Sequence, residues 1–225
     1  MKRRGVLRLG AWASALLAPP LAWATTASAE AAWFDAASRG DVPQLQRLVA
    51  AGIPIDRRDV AGRTALLRAT AANRLEAARW LIERGADVNA KDAIDDSPYL
   101  LAGARGHTDI LRLTLAAGAD LRSTNRYGGT ALIPAAHYGH VETVRLLLGT
   151  AVDVNHVNRL GWTALLEAII LGDGGAAHTE IVRLLLAAGA RHDIADAQGV
   201  TPLAHARQRG QSANEALLQA AGARQ

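Results

Sequence analysis

Hydrophobic and polar positions recur along this chain with a fixed period. Hydroxyl side chains mark the period most clearly, at Thr64, Ser97, Thr130, Thr163 and Thr201, with spacings of 33, 33, 33 and 38 residues. A second marker, mostly glycine, has the same step and the same interruption: Gly52, Gly85, Gly118, Ala151, Gly189 and Gly222. Two independent markers with one period predict an array of similar units, one of which contains an insertion.

Each unit is predicted to fold as two helices and a loop. The hydroxyl residue suits the N-cap of the first helix, because its oxygen can accept a hydrogen bond from an unpaired amide of the first turn. The first helices are short and rich in small residues, as in residues 131–136. The second helices are amphipathic, since Val141, Val144 and Leu148 share one face at helical spacing. A glycine at the second marker then ends the second helix, as at Gly85, Gly118 and Gly189.

Short motifs connect these units to a known family. The segment Gly139–Leu148 reads GHVETVRLLL, a nearly intact copy of the turn and second helix of the ankyrin repeat, and His178–Ala190 repeats it. Residues 85–89, GADVN, match the segment that closes the repeat. The chain therefore resembles the ankyrin-repeat family over about residues 31–223. Residues 127–175 are in addition similar to exported bacterial ankyrin proteins, from which no defined activity can be carried over.

The resemblance implies an all-α solenoid of helix–turn–helix units with β-turn fingers, whose concave side normally binds proteins. The repeat domain is predicted to cover residues 30–225. Its first and last units are expected to act as caps, because exposed terminal units must shield the stacked core. The six predicted units cover residues 31–58, 59–91, 92–124, 125–157, 158–195 and 196–225.

Three departures from the family pattern are expected to change the structure locally. Pro134 lies inside a first helix and should distort it. Ala151 replaces a glycine, so the loop from Gly149 to Asn155 should differ from its counterparts. The family's histidine near the start of each first helix is absent, and apolar contact is expected at the positions that replace it: Leu67, Leu100, Ile133, Leu166 and Ala204.

The N-terminal segment has the features of an export signal. Basic residues at positions 2–4 precede an apolar run at 9–18. Small residues then form two A-x-A sites, which end at Ala24 and Ala29. A signal peptide over residues 1–29, cleaved after Ala24 or Ala29, is therefore expected.

An uncleaved membrane anchor is the alternative to a cleaved signal. Pro19 and Pro20 argue against it, because they break the apolar run well short of the roughly 20 residues that a spanning helix needs. We expect a periplasmic or secreted protein with no stable membrane insertion after cleavage. The adjacent Arg3 and Arg4 fit the Sec route as well as the twin-arginine route.

The charge of the chain is concentrated in this N-terminal segment. Four of the 25 basic residues precede Glu30, so the remaining 21 balance the 21 acidic residues. A neutral body offers no excess of Lys and Arg for phosphate backbones, which argues against nucleic acid as a partner. The chain has no cysteine, so its stability must come from packing rather than disulfides. We expect a monomer that binds a protein partner.

No motif of a known catalytic centre is found. The sequence has no cysteine nucleophile, no G-x-S-x-G elbow and no phosphate-binding glycine loop. The seven histidines have no clustered carboxylates beside them, so neither a metal nor a cofactor is expected. Glu167, alone in an apolar helix, is either a satisfied or rim carboxylate or a partner contact. The glycine-rich insertion at 172–177 is a mobile contact loop, a ligand flap or a tolerated surface insertion.

Side chains at the finger tips and at the ends of the first helices should face the concave groove. Tyr, Trp and Arg among them are the residue types that dominate interface hot spots. We therefore expect a non-catalytic interaction scaffold. The alternatives are an enzyme centred on Glu167 and the 172–177 loop, a small-ligand or peptide sensor that uses the groove, and local packing of Tyr127 and Trp162 against neighbouring fingers. The candidate partner-binding residues are Arg126, Tyr127, His137, Tyr138, Arg159, Leu160, Trp162, Ile170 and Leu171.

Overall fold

The computed structural model describes the backbone of residues 21–224 and side chains from residue 28 onward. In this part of the chain, helices form six consecutive pairs and no β-strand is present. The pairs are α1 (Leu21–Arg39) and α2 (Val42–Ala50), α3 (Ala65–Ala71) and α4 (Leu75–Glu83), α5 (Pro98–Ala104) and α6 (Thr108–Ala116), α7 (Leu132–His137) and α8 (Val141–Leu148), α9 (Ala164–Ile170) and α10 (Ala176–Ala187), α11 (Pro202–Gln208) and α12 (Ser212–Ala220).

The six pairs stack in chain order as a solenoid of two helical layers. Each first helix contacts the first helices of the neighbouring units, and each second helix contacts the second helices beside it. This arrangement confirms the all-α array that the 33-residue period predicts. The fingers that join one unit to the next are turns without regular secondary structure.

Most of the predicted signal peptide lies outside the described residues. Helix α1 begins at Leu21 and runs through both predicted cleavage sites, Ala24 and Ala29. The buried side chains of the first unit begin later, at Trp33. Among the described helices, none is both long enough and apolar enough to cross a membrane.

Four of the five predicted N-caps form. Thr64, Ser97 and Thr163 each accept a hydrogen bond of 3.2 Å from the amide three residues later, and Thr201 does so at 3.3 Å. The helix begins at the next residue in each case. The hydroxyl marker in the sequence is therefore a capping signal at these positions.

The fifth predicted N-cap, Thr130, is wrong, and Pro134 explains why. In the other units the capping residue's carbonyl accepts from the amide four residues later, as Thr64 does from Arg68 at 3.0 Å. Pro134 has no amide N–H, so the Thr130 carbonyl accepts at 3.2 Å from Ile133 instead. That is the amide a capping hydroxyl would need. The Thr130 hydroxyl is consequently buried without a partner, and α7 begins one position late, at Leu132.

The loop after α8 differs from its counterparts, as the missing glycine predicts. Helix α8 ends at Leu148 with Gly149 as its C-cap. Thr150 then donates its hydroxyl to the Leu147 carbonyl at 2.6 Å and accepts from the Val152 amide at 3.3 Å. A side chain here replaces part of the hydrogen bonding that a left-handed glycine allows elsewhere.

Small residues on the first helices allow the units to stack closely. One alanine occupies the same register in every unit and is completely buried: Ala36, Ala69, Ala102, Ala135, Ala168 and Ala206. Glycine serves the same purpose at Gly103, where an added Cβ would lie 2.8 Å from the Cβ of Ala131. The first-helix layer is therefore packed too tightly to accept larger side chains at these positions.

In units two, five and six, one register position near the start of the second helix ties the unit to the unit before it. Arg74 donates at 3.0 Å to the Ser38 carbonyl, and Gln211 donates at 3.0 Å to the Ile169 carbonyl. His178 occupies the same register in unit five, and its Nε2 lies 2.8 Å from the His137 carbonyl. Three chemically different side chains thus form one kind of inter-unit hydrogen bond.

The convex second helices expose ion pairs along the chain. Glu142 lies 3.7 Å from Arg145, and Glu180 lies 2.6 Å from Arg183. Arg145 also reaches Glu180 on the next helix at 3.1 Å. These side chains are solvated, so each pair contributes little to stability.

Candidate functional site

A groove of about 1060 Å³ lies on the first-helix side and runs from the end of α3 to the end of α9. We call it the central groove. Its wall consists of the residue that follows each first helix, namely Ala72, Arg105, Tyr138 and Leu171. These four positions share the 33-residue register, so the solenoid itself lines them up.

The floor of the central groove is formed by the fourth residue after each capping position. Leu101, Pro134 and Glu167 occupy this position in units three, four and five. The corresponding residues of units two and six, Arg68 and His205, are outside the lining. We call this register the floor position.

Arg68 and His205 are held back by the finger of their own unit. Arg68 Nη2 lies 2.6 Å from the Asp59 carboxylate, and His205 Nε2 lies 2.7 Å from the Asp196 carboxylate. Leu101 and Pro134 cannot form such a pair. The groove lies in the middle of the array, and none of its three floor residues is paired with a finger carboxylate.

Asparagine side chains shape the two fingers that face the groove. Asn125 Oδ1 accepts from the amides of Tyr127 and Gly129 at 2.9 and 3.1 Å. Asn158 does the same for its own finger, at 2.9 Å from Leu160. These turns expose about half of the Tyr127 and Leu160 side chains, 52% and 50%. A backbone hydrogen bond of 2.9 Å from Arg159 to the Tyr127 carbonyl joins the fingers.

The structure brings six of the nine predicted partner-binding residues together in the central groove. Tyr138 and Leu171 belong to the wall and expose 60% and 43% of their surface. His137 lies beside them, with its ring stacked 4.2 Å from that of Tyr138. The six groove residues are Arg126, Tyr127, His137, Tyr138, Leu160 and Leu171.

The other three predicted residues lie outside the groove lining. Ile170 is buried, at 8% exposure, so the last turn of α9 faces the stack at this position. The Arg159 guanidinium donates at 2.9 Å to the Arg126 carbonyl, which commits the side chain to the neighbouring finger. Trp162 is half-buried and does not line the groove. From its position in the finger register, Trp162 was expected to line the groove. That expectation fails because the register fixes the position of the backbone but not the direction of the side chain.

Arg126 forms a charged corner of the groove. Its guanidinium lies 3.4 Å from the Asp96 carboxylate and 5.0 Å from the centre of the Tyr127 ring. Burial raises the pKa of Asp96 above its usual range, while Arg126 acts in the opposite direction. The cation is thus shared between an acid and an aromatic face within the chain.

Glu167 is a buried carboxylate on the groove floor, with 6% exposure. One oxygen, Oε1, accepts a hydrogen bond of 2.9 Å from the Asn158 side-chain amide. The other oxygen lies 3.7 Å from His137 Nδ1, beyond hydrogen-bond distance. Burial raises the pKa of Glu167 to about 7, although the Asn158 hydrogen bond lowers it. The group therefore titrates near neutral pH.

His137 stays uncharged at neutral pH. Burial lowers its pKa, and the charge of His178 lowers it further. His178 itself bridges the His137 carbonyl and the Asp173 carboxylate, each at 2.8 Å. The imidazole beside Glu167 is consequently a neutral neighbour rather than a counter-ion.

The insertion at 172–177 packs against units five and six and does not line the central groove. Asp173 accepts the Gly175 amide at 2.8 Å and contacts His178, and Gln211 donates at 3.3 Å to the Gly172 carbonyl. Gly172 is required, because a Cβ there would lie 2.1 Å from the Ala168 carbonyl oxygen. In this conformation the insertion does not cover Glu167.

Comparison with known proteins agrees with these features. One ankyrin-repeat family model of three copies matches residues 99–196, and another of many copies matches residues 34–82. An ankyrin repeat domain from Acinetobacter baumannii AYE is 59% identical and covers 85% of this chain and 98% of its own, with a TM-score of 0.82. The chain belongs to the ankyrin-repeat family.

Other ankyrin proteins are similar to different extents. The ankyrin repeat protein EF0377 is 40% identical, covers 84% of this chain and 96% of its own, and has a TM-score of 0.80. The ankyrin repeat domain of human ASB11 is 25% identical, covers 85% and 84%, and has a TM-score of 0.73. The ankyrin repeat protein YahD of Escherichia coli (strain K12) is 51% identical over 57 residues, which are 25% of this chain and only 28% of YahD.

Ankyrin repeats generally mediate protein–protein interactions and are typically non-enzymatic. The lining of the central groove includes no Ser, Thr, Cys or Lys that could serve as a nucleophile. Within the described residues, no three His, Asp or Glu side chains lie close enough together to hold a metal ion.

The groove of this ankyrin array extends further than the sequence predicted. Arg105, Asp96 and Leu101 of unit three line it, although the prediction was confined to units four and five. Arg105 stands 33 residues before Tyr138, so the register alone could have found it. Glu167 was singled out as a lone acid but was not assigned to the groove.

Proposed function

We propose that this protein is an exported, non-catalytic ankyrin scaffold that binds a segment of another protein in its central groove. The observation that carries the proposal is the row of exposed apolar and aromatic side chains along one continuous groove. Tyr138 and Leu171 on the wall face Tyr127 and Leu160 on the finger tips. Large side chains exposed together at a concave surface are characteristic of interaction sites.

Hot-spot chemistry supports the same surface. Tyr and Arg side chains contribute most to binding when a partner excludes water from them. Tyr138 is already stacked on His137, and Arg126 is held over Tyr127 by Asp96. Such restrained side chains lose less conformational entropy on binding than freely rotating ones.

A binding role fits the site better than the alternative of an enzyme centred on Glu167. The neighbouring His137 could act with Glu167 as an acid–base pair, but the groove lining supplies no Ser, Thr, Cys or Lys side chain for such a pair to activate. The 172–177 insertion, which would belong to such a centre, packs away from the groove. The expected absence of a cofactor or metal remains part of the proposal.

The export component rests on the sequence of the N-terminal segment. The basic residues, the broken apolar run and the two A-x-A sites are those of a cleaved signal. N-terminal sequencing of the protein from the periplasmic fraction tests this component. A first residue at position 25 or 30 is expected, whereas Met1 in a membrane pellet would contradict it.

The binding component is tested by affinity capture from an envelope extract, with three forms of the protein compared in parallel. Wild-type protein is expected to capture a partner. Tyr138→Ala should bind the same partner with an affinity at least about tenfold lower. Glu142→Gln, on the solvated convex face, is the matched control and should capture the partner as the wild type does. Equal capture by Tyr138→Ala and wild type would contradict the groove as the binding surface.

A further inference from the structure

Glu167 differs from the charged residues at the same floor position in other units. In units two and six the floor residue is a basic side chain, Arg68 or His205, and it contacts an aspartate of the finger. In unit five the two roles are exchanged, and the finger offers the neutral amide of Asn158 to Glu167. The amide satisfies one carboxylate oxygen but cannot neutralise the charge.

No other described side chain supplies the missing positive charge. His137 on α7 is the one ion-pair candidate within 4.0 Å, and burial keeps it neutral. On α10, His178 turns toward the His137 carbonyl and Asp173. On α11, His205 is bound to Asp196. The ionised form of Glu167 is thus desolvated without a counter-ion, which is unfavourable unless a ligand brings one.

The surroundings of Glu167 fit a long basic side chain. Tyr138, Leu160 and Leu171 line the groove with it, and each exposes between 43% and 60% of its surface. The methylene stem of Lys or Arg can pack on such apolar surface while its charged head meets a carboxylate. Arg126 is already paired with Asp96 at the unit-three side of the groove, so it does not compete for Glu167.

We propose that Glu167 is the anchor for a Lys or Arg side chain of the bound protein segment. This inference rests on the proposed function and adds the chemistry of the partner. A protein segment is favoured over a free amine because the groove, at about 1060 Å³, extends across three units beyond the carboxylate. The finger tips along it offer contacts that a small amine could not use.

The anchor makes binding depend on pH in a defined direction. A basic side chain pairs with the ionised carboxylate, so below the pKa of Glu167, about 7, binding must release a proton. Affinity should then fall by up to about tenfold for each unit of pH below that value. The titratable side chains on the helices packed against α9 include His137, His178 and His205. The Glu167→Gln variant separates the carboxylate from these histidines.

The experiment is a selection of random linear peptides displayed on phage, performed at about pH 8 on three forms of the protein. Wild type and the convex control Glu142→Gln are expected to enrich peptides with Lys or Arg at one fixed position among apolar residues. Glu167→Gln should lose the basic position and keep the apolar ones. For a peptide selected on wild type, Glu167→Gln should weaken binding by about thirtyfold or more, and replacing the basic residue by norleucine should weaken it equally.

The outcomes separate this inference from the proposed function. Peptides that require Tyr138 but show no basic position, or that bind Glu167→Gln as tightly as wild type, would overturn the anchor and leave the groove as the binding surface. Peptides unaffected by Tyr138→Ala would overturn the proposed function. Thermal melting of each variant checks that it is folded, and nuclear magnetic resonance titration of Glu167 supplies a second readout. The selected peptide should lower the Glu167 pKa by about one unit or more, whereas a structural carboxylate would keep its value.

Discussion

Units two and six differ from units three to five at the floor position, and only units three to five contribute this position to the central groove. In units two and six the floor residue is a basic side chain that contacts an aspartate at the base of its finger, 2.6 Å away for Arg68 and 2.7 Å for His205. In units three and four, Leu101 and Pro134 leave the finger without such a partner. Apart from the late start of α7, the loop after α8 and the 172–177 insertion, the helix bounds follow the same register.

The outer and inner units thus use the floor position differently: the outer units bond it to their own finger aspartate, and the inner units leave it free of such a pair for the proposed binding. In the outer units the floor residue contacts an aspartate of the same unit, and this contact joins the first helix to its own finger. The inner units leave it apolar or, at Glu167, charged without a counter-ion. A partner can bind where the array leaves its own interactions incomplete.

The largest expected effect on stability comes from removing the Asp59 side chain, which bonds to Arg68 and to the finger of unit two. Asp59→Ala removes the acceptor of the Ala61 and Arg63 amides, both at 2.9 Å, and the partner of Arg68. Because the aspartate side chain is only 7% exposed, we expect a loss of about 2–3 kcal/mol in the free energy of unfolding, measured with urea. Asn125→Ala, the matched change in unit four, removes only turn hydrogen bonds and should lose about 1 kcal/mol. Equal losses would contradict the distinction between the units.

Removing the charge of Glu167 should stabilise the protein at alkaline pH. Its pKa is raised from 4.5 to about 7 in the folded state, so folding favours the protonated form. The stabilisation that the protonated Glu167 gives the folded state is complete below the pKa of 4.5 that the group has in the unfolded chain, and it is lost as pH rises through about 7. Glu167→Gln should therefore raise the free energy of unfolding by up to about 3 kcal/mol near pH 8 and by much less near pH 5.

The comparison of variant with wild type is needed because histidines titrate in the same range. Burial lowers the pKa of His107, His137 and His140, so they destabilise the fold as pH falls below about 6.5. Their effect has the opposite sign to that of Glu167 and cancels in the difference. Destabilisation by Glu167→Gln at both pH values would mean that the carboxylate is structural.

The distorted first helix of unit four should respond to one added amide. Pro134→Ala supplies the donor that the Thr130 carbonyl lacks, which frees the Ile133 amide to bond to the Thr130 hydroxyl. We expect a gain of about 1 kcal/mol in stability. Thr130→Ala should then have little effect in wild type but lose about 1 kcal/mol in the Pro134→Ala background. Additive effects in this double-mutant cycle would refute the explanation of the missing cap.

The smallest effect on stability is expected at the exposed groove wall. Tyr138→Ala removes a side chain that is 60% exposed, so the free energy of unfolding should change by less than about 0.5 kcal/mol. The melting temperature should accordingly change little. Trp162→Ala, in contrast, removes a half-buried side chain outside the groove lining, and should lower stability without changing affinity. The reverse pattern would exchange the roles assigned to these two aromatic residues.

The sequence predicts most of the backbone because every unit repeats the same local signals. The hydroxyl caps at Thr64 and Thr163 and the glycine after α4, Gly85 with φ of +82°, are formed by residues adjacent in the chain. The distortion at Pro134 follows from the missing amide alone. Only its consequence for the Thr130 hydroxyl required the structure, since two acceptors compete for one donor there.

The candidate site was predicted only in part because side-chain direction depends on neighbours in three dimensions. Trp162 and Gly129 share a finger register, yet only Gly129 lines the groove. The pairing of Asn158 with Glu167, nine residues apart, has counterparts in other units and could have been found from the register. The burial that raises the pKa of Glu167 depends on packing between units, which no single repeat reveals.

Hydrogen exchange tests most directly whether the central groove is the interaction surface. It is measured on the protein alone and on its complex with the partner obtained by affinity capture. The proposed function predicts slower exchange in the partner complex at the fingers around Tyr127 and Leu160 and at the ends of α7 and α9. Exchange on the second helices α6, α8 and α10 should be unchanged. Protection confined to those convex helices, with the fingers exchanging as in the free protein, would contradict it.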